Sequence, residues 1–252
     1  MTCLVLCSAS GAPGVTTAAL ALTWVWPQVT DRRALLVDAD PSGSGLLGGA
    51  LAARVATEAG VLALAGDVRA PDAADVLAHT VALDPDATRL VLPGISDPVQ
   101  ARSLAALWAA LPDLASDLHH QATDVIVDAG RVGHAEEPTG LLAEADALLL
   151  AVSPTVPAVV ATAAAMRRLT ALRAPRPTPV PLVVGERHPY TAREVERALR
   201  TPVATLALET PAADALNAGE APTGRWERSV LLRSARALAQ SVLAGLPAGV
   251  AP

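Results

Sequence analysis

Ser8-Ala9-Ser10-Gly11-Ala12-Pro13-Gly14-Val15-Thr16-Thr17 lies between two stretches of different pattern. Before it, Cys3-Leu4-Val5-Leu6-Cys7 is an unbroken apolar run of strand length, the pattern of a strand covered on both faces. After it, Thr16 opens an apolar helical pattern that runs to about Val25, where Pro27 is expected to end it. Strand, glycine turn and helix N-terminus in succession bring free backbone N–H groups and the positive end of a helix dipole to one point. Such a point binds phosphate. Alone, the decapeptide is a weak signal, because a strand-to-helix turn without a ligand uses the same residue types.

Outward from this turn, short apolar runs alternate with longer helical patterns, the rhythm of βαβ units. The strand candidates are Cys3–Cys7, Ala34–Val37, Arg89–Leu92, Asp124–Val127, Ala147–Val152, Pro181–Val184 and Val203–Leu208. They predict an α/β fold: a doubly wound, mostly parallel sheet of about seven strands with helices on both faces. Thr155 to Arg173 reads as an Ala-rich helix with Pro157 in its first turn. Thr191 and Glu194 form a capping box for a helix over 192–200, and a last helix from about Glu227 to Leu243 carries Leu231, Ala235, Leu238 and Val242 on one stripe.

Two more strands end in carboxylates. Leu35-Leu36-Val37-Asp38-Ala39-Asp40-Pro41-Ser42-Gly43 closes the second, and Thr123-Asp124-Val125-Ile126-Val127-Asp128-Ala129-Gly130 closes another. In order and spacing these segments, with the Ala147–Val152 run, resemble the ParA/MinD family of deviant Walker ATPases, including its TadZ/CpaE and septum-site-determining branches. The family's loop reads approximately KGGxGKTT and its second strand ends in DxDPQG. Asp38-Ala39-Asp40-Pro41-Ser42-Gly43 matches the latter closely, and Val125 to Gly130 is a fair Walker B. The resemblance runs from Cys3 to about Leu246 and implies a single P-loop NTPase-like domain over 1–252. It implies ATP or ADP with Mg²⁺ held at Gly11, Ala12, Pro13, Gly14, Val15, Thr16 and Thr17. Thr16 would coordinate the metal, Asp128 would hold it through water, Asp38 would lie near the metal and a dimer face, and Asp40 would orient the attacking water. The plainer alternative is that Asp38 and Asp40 cap a strand end and Asp128 binds backbone amides.

The loop departs from the family pattern. Ser10 stands at the signature lysine, Val15 at the phosphate-binding lysine and Ala12 at a glycine. All 19 basic residues are arginine, so the chain has no lysine to recruit. A lysine at the β- and γ-phosphates neutralises charge that develops in the transition state. Losing one such preorganised group costs about 10²–10³ in rate. Arg131, three residues past Asp128, is the nearest replacement. Where the family often places a base-contacting Asn, this chain has Gly185-Glu186-Arg187-His188-Pro189-Tyr190, without one.

Composition narrows the function further. The chain is 52% hydrophobic and 17% charged, enough apolar mass for a substantial core, but it has no Phe and one Tyr, so packing rests on aliphatic contacts. Residues 1–166 carry 7 Arg against 18 acids, a net −11, whereas 167–200 carry 8 Arg against 3, a net +5. The acidic balance argues against DNA as a partner, with the Arg-rich 167–200 the one stretch that leaves it open. Cys3 and Cys7, about 13 Å apart along one strand face, read as buried small residues in a reducing compartment. The five histidines show no metal-ligand spacing and read as surface residues. Glycines and prolines break the uncharged stretches, so no membrane segment is expected and the chain reads as cytoplasmic.

The expected function is a degenerate ParA/MinD-like protein that positions or scaffolds a pilus, secretion or cell-division apparatus. It would act through a protein partner and as a homodimer, with weak or absent ATP hydrolysis and a nucleotide held weakly or not at all. The alternative is an active Mg-ATPase in which Arg or a partner supplies the missing charge. A dethiobiotin-synthetase-like ligase is disfavoured, because that chemistry needs the lysine.

Overall fold

A computed structural model of the chain describes residues 3–11, 13–52, 59–66, 69–185, 189–224 and 226–245. Its strands are β1 (Cys3–Ser8), β2 (Arg33–Asp38), β3 (Val81–Ala82), β4 (Arg89–Leu92), β5 (Thr123–Arg131), β6 (Ala147–Val152), β7 (Val180–Val184) and β8 (Ala204–Leu206). Its helices are α1 (Val15–Thr30), α2 (Val61–Gly66), α3 (Ala73–Ala78), α4 (Ala105–His120), α5 (Thr139–Glu144), α6 (Val156–Arg173), α7 (Ala192–Leu199), α8 (Thr210–Asn217) and α9 (Val230–Ala244).

The strands form one sheet in the order β3-β4-β2-β5-β1-β6-β7-β8, parallel throughout except for the antiparallel β3–β4 pair. The apolar runs divide between two cores because successive side chains leave a strand on opposite faces. Leu4, Leu6 and Leu36 pack with α1, α8 and α9, while Cys3, Val5, Cys7, Leu35 and Val37 pack with α4, α5 and part of α2. The continuous apolar character of β1 follows directly: each of its side chains is buried, on one side or the other.

The sheet has eight strands where the sequence predicts about seven. The extra one, β3, is two residues long, too short for any periodicity to announce it. Pro27 does not end α1, which continues to Thr30. Proline removes one backbone bond, but side chains hold the next turn. Trp26 is fully buried and donates its indole N–H to Asp124 at 2.9 Å, and the Thr30 hydroxyl donates to Trp26 O at 2.9 Å. Asp31, left-handed at φ 55°, then closes the helix by donating its N–H to Pro27 O. His119 is not a plain surface residue either, since Nδ1 lies 2.8 Å from Asp124 Oδ1 in the same partly buried network, which Arg32 joins at 3.0 Å.

The Thr191–Glu194 capping box is present. The last helix starts at Val230, capped by Ser229, after a 3₁₀ turn over Trp226–Arg228. Leu231, Ala235 and Leu238 of its stripe are buried in the core shared with α1. Among the described residues no helix is long and apolar enough to cross a membrane.

Candidate functional site

The parallel register sets the site. β1 lies between β5 and β6, and β2 beside β5, so the carboxyl ends of β1, β2 and β5 open at one edge of the sheet. That is where ligands bind in such sheets. Asp38 and Asp128 are register partners on β2 and β5, and a shift in the β1–β5 pairing sets Ser8 opposite Arg131.

At the mouth of β1 the chain turns into α1 through Gly14, left-handed at φ 90° and with no side-chain cap on the helix. A residue with a Cβ would be strained there. By helix geometry the first-turn N–H groups of α1 have no intrahelical partner, and among the described residues no N-cap side chain serves them. Thr16 donates its hydroxyl to Asp128 Oδ2 at 2.6 Å, and Gly130 N–H donates to Asp128 Oδ1 at 3.0 Å. Burial pushes the Asp128 carboxyl up to about 6, against the pull of those two donors. Asp38 accepts from Ser44 Oγ at 2.6 Å and from Asp40 N–H at 3.3 Å. Burial first, and the neighbouring Asp128 second, raise Asp38 to about 7. Asp40 is half-buried, accepts from Ser42 N–H at 2.8 Å and lies over Gly130, where an added Cβ would come 2.2 Å from its carboxyl carbon.

These groups surround an open cavity of about 820 Å³, lined by Ser8, Gly11, Gly14, Val15, Thr16 and Thr17 from the first turn and by Asp40, Ser42, Gly45, Gly48, Gly49, Gly130, Arg131 and Asn217. Thus Gly11, Gly14, Val15, Thr16, Thr17 and Asp40 share one cavity, with Asp128 and Asp38 buried behind it. Pro13 is buried in the turn. Ala12 and the Glu186–His188 segment lie outside the described residues.

Val15 points into the apolar core with 6% exposure. Arg131 is exposed, with Nε 2.9 Å from His134 Nε2, and is the one cation among the described lining residues. Sequence reasoning missed the far wall. Gly45, Gly48 and Gly49 follow the Asp38–Gly43 motif closely enough to have been suspected, but nothing in the sequence ties Asn217 to the loop.

The donor set fits Mg²⁺ and phosphate in kind: a hydroxyl beside buried carboxylates whose raised pKa values show a want of positive charge, next to an uncapped helix start. It fits a triphosphate poorly, since Asp40 and one exposed arginine are the charged lining groups.

Solved structures similar to this one superpose over nearly the whole chain. A ParA family ATPase from Chlorobium tepidum TLS superposes with a TM-score of 0.77, at 14% identity over 94% of this chain and 98% of that one. The fold is that of the ParA and MinD ATPases. A septum site-determining MinD from Pyrococcus horikoshii OT3, complexed with Mg-ADP, gives 0.70 at 18% identity over 96% and 97%. MinD in a MinC:MinD complex from Aquifex aeolicus gives 0.66 at 17% identity over 94% of both chains. No family model and no curated protein sequence matches the chain.

The ParA/MinD-like sheet also decides what the Arg-rich segment is made of. Arg168 pairs with Glu137 and Arg176 with Glu144. Arg173, 1% exposed, donates to Leu142 O, Ala145 O and Pro177 O. With Arg167, which donates to Ala163 O at 3.1 Å, four of its arginines among the described residues are engaged within the molecule, which leaves a thinner basic face than the sequence suggests.

Proposed function

We propose that the chain is a degenerate ParA/MinD-like nucleotide-binding protein that positions or scaffolds a pilus, secretion or cell-division apparatus through a protein partner and as a homodimer. In this reading it works with weak or absent ATP hydrolysis, as a single domain. The observation that carries it is the cavity: hydroxyls, a helix start and carboxylates of the kinds that phosphate and Mg²⁺ take surround it, while Val15 is buried where the family has a lysine. The similar solved structures support the nucleotide and the protein partner, one MinD being complexed with Mg-ADP and another structure being a MinC:MinD complex.

When bound, Mg²⁺ would supply positive charge beside the buried carboxylates and to the phosphates of a nucleotide. The N–H groups at the start of α1 would bind phosphate, Thr16 and Asp128 would hold the metal with Asp38 behind them, and Asp40 would hold a water. Without an ε-amine, charge on the terminal phosphate goes uncompensated, so turnover is slow even where binding survives.

Calorimetry with Mg-ATP and Mg-ADP tests the site: heat of binding is expected from the native chain and none from Asp128→Ala. Identical heats would remove these residues from the site. Val15→Lys is expected to raise ATP affinity at least tenfold, about what one charge-assisted contact provides. No gain would mean that the turn does not cradle phosphate.

Arg131 at the cavity rim favours a second reading, an active Mg-ATPase in which this guanidinium supplies the missing charge. ATP turnover that Arg131→Ala abolishes would establish it, and no turnover with or without candidate partners would reject it.

A further inference from the structure

Helix α8 ends at the wall of the cavity, and three contacts hold its end there. Asn217, its last residue, donates Nδ2–H to Thr17 Oγ1 at 2.9 Å, across 200 positions of sequence. A Cβ on Gly49 would lie 2.4 Å from Asn217 O, and one on Gly219 would lie 2.5 Å from Ala50 O. The first turn of α1, the glycine loop after β2 and the end of α8 therefore meet in one wall, and no larger side chain fits between the last two.

A threonine hydroxyl has one proton and two lone pairs, and its proton turns to suit its neighbours. The amide N–H of Asn217 occupies a lone pair of Thr17 Oγ1, which turns the Thr17 proton away from α8. Thr17 also lines the cavity, so that proton is directed inward. Asn217 is itself only partly buried and lines the same space.

We propose that Asn217 is a positioning residue of this cavity, fixing the Thr17 hydroxyl as a donor to the phosphoryl oxygen of a nucleoside di- or triphosphate. The inference rests on reading the cavity as a phosphate site. It matters more here than in a site with an ammonium group, because the phosphate must be held by backbone N–H groups and hydroxyls. A hydroxyl already set as a donor loses no rotor freedom when the anion arrives.

Calorimetry with Mg-ADP tests it, with melting of the ligand-free proteins as the check on folding. Asn217→Ala is expected to weaken binding about 3–10-fold, the range for one hydrogen bond's worth of preorganisation. Asn217→Asp has the same shape and keeps the main-chain packing against Gly49. Its carboxylate can only accept, takes the Thr17 proton and weakens binding at least tenfold. Thr17→Val, which has no hydroxyl to position, loses affinity.

The deciding measurement is the cycle: in the Thr17→Val background, Asn217→Ala should cause no further loss. Full additivity, or native affinity in both Asn217 variants, overturns the proposal while leaving the phosphate site standing. No heat from the native chain overturns the phosphate reading itself, and this inference falls with it.

Discussion

Asp38 offers a quantitative test of the electrostatics at the site, through the substitution Asp38→Asn. The carboxyl is 1% exposed, and burial together with the charge of Asp128 carries it from 3.8 to about 7. Each pKa unit is worth about 1.4 kcal/mol between the two protonation states, so holding Asp38 ionised in the fold costs about 4 kcal/mol. The direction follows from linkage. The unfolded chain releases this proton near pH 4 and the folded chain only near 7, so stability present below pH 4 is lost as pH rises between those values. Asp128, raised to about 6, acts in the same direction. Asparagine keeps the shape: its oxygen still accepts from Asp40 N–H, and the Ser44 hydroxyl can rotate to accept from its amide. At pH 8, with divalent cations chelated, Asp38→Asn should therefore melt higher than the native chain, by on the order of 10 °C for a chain of this size. The two curves should converge toward pH 5. Thermal unfolding followed by circular dichroism from pH 5 to 8.5 measures this. A native melting temperature that climbs through that interval, or an Asn variant less stable at pH 8, would refute the reasoning.

Two further predictions concern stability alone. Gly94→Ala places a Cβ 2.4 Å from the Asp38 carboxyl carbon and 2.8 Å from its main-chain oxygen, which sits in a central strand and cannot retreat. A loss of about 2–3 kcal/mol is expected in urea unfolding, and a neutral result would mean that the β2 end is loosely held. At the start of β5, Asp124→Ala removes the carboxylate that Trp26, Arg32 and His119 share, stranding a buried indole N–H and leaving Arg32 with His119 O but no counter-charge. It should cost about 3–5 kcal/mol, with Asp124→Asn recovering part because it still accepts from Trp26, and equal losses in the two variants would argue against that account.

Much of this architecture was legible in the sequence, for a specific reason. The strands of a parallel sheet are buried on both faces, so Leu35–Val37 and Val125–Val127 read as unbroken apolar runs, and the acids that end them mark the edge where those runs stop being covered. The turn at Gly11–Thr17 is legible because its chemistry is local: a strand, a left-handed glycine and a helix start occupy consecutive positions. What escaped is set by contacts between distant residues. Pro27 signals a helix end, and only the burial of Trp26 against Asp124 overrides it. Asn217 carries no local mark, since its role depends on Thr17, two hundred residues away.

On the proposed reading, Val15 would show how a phosphate site can outlast its cation. Its side chain joins the core that α1 shares with α8 and α9, where it is 6% exposed. Burying a valine to this degree stabilises a fold by about 1.5–3 kcal/mol. A lysine at the same position, which also borders the cavity, would bring a charged end that this apolar core cannot take in. The remaining site groups have structural duties too: Asp128 holds the Gly130 turn and Thr16, and Asp38 holds Ser44 and the loop after β2. On the proposed reading, relaxed demand for hydrolysis would let a lysine go at a gain in stability, while these hydroxyls and carboxylates keep their structural contacts. The same argument sets a sign for Val15→Lys. Its gain in ATP affinity should come with a lower melting temperature in the ligand-free protein, the trade between stability and function expected of a charged functional group. A variant that binds ATP more tightly and also melts higher would show that Val15 was never stabilising the core.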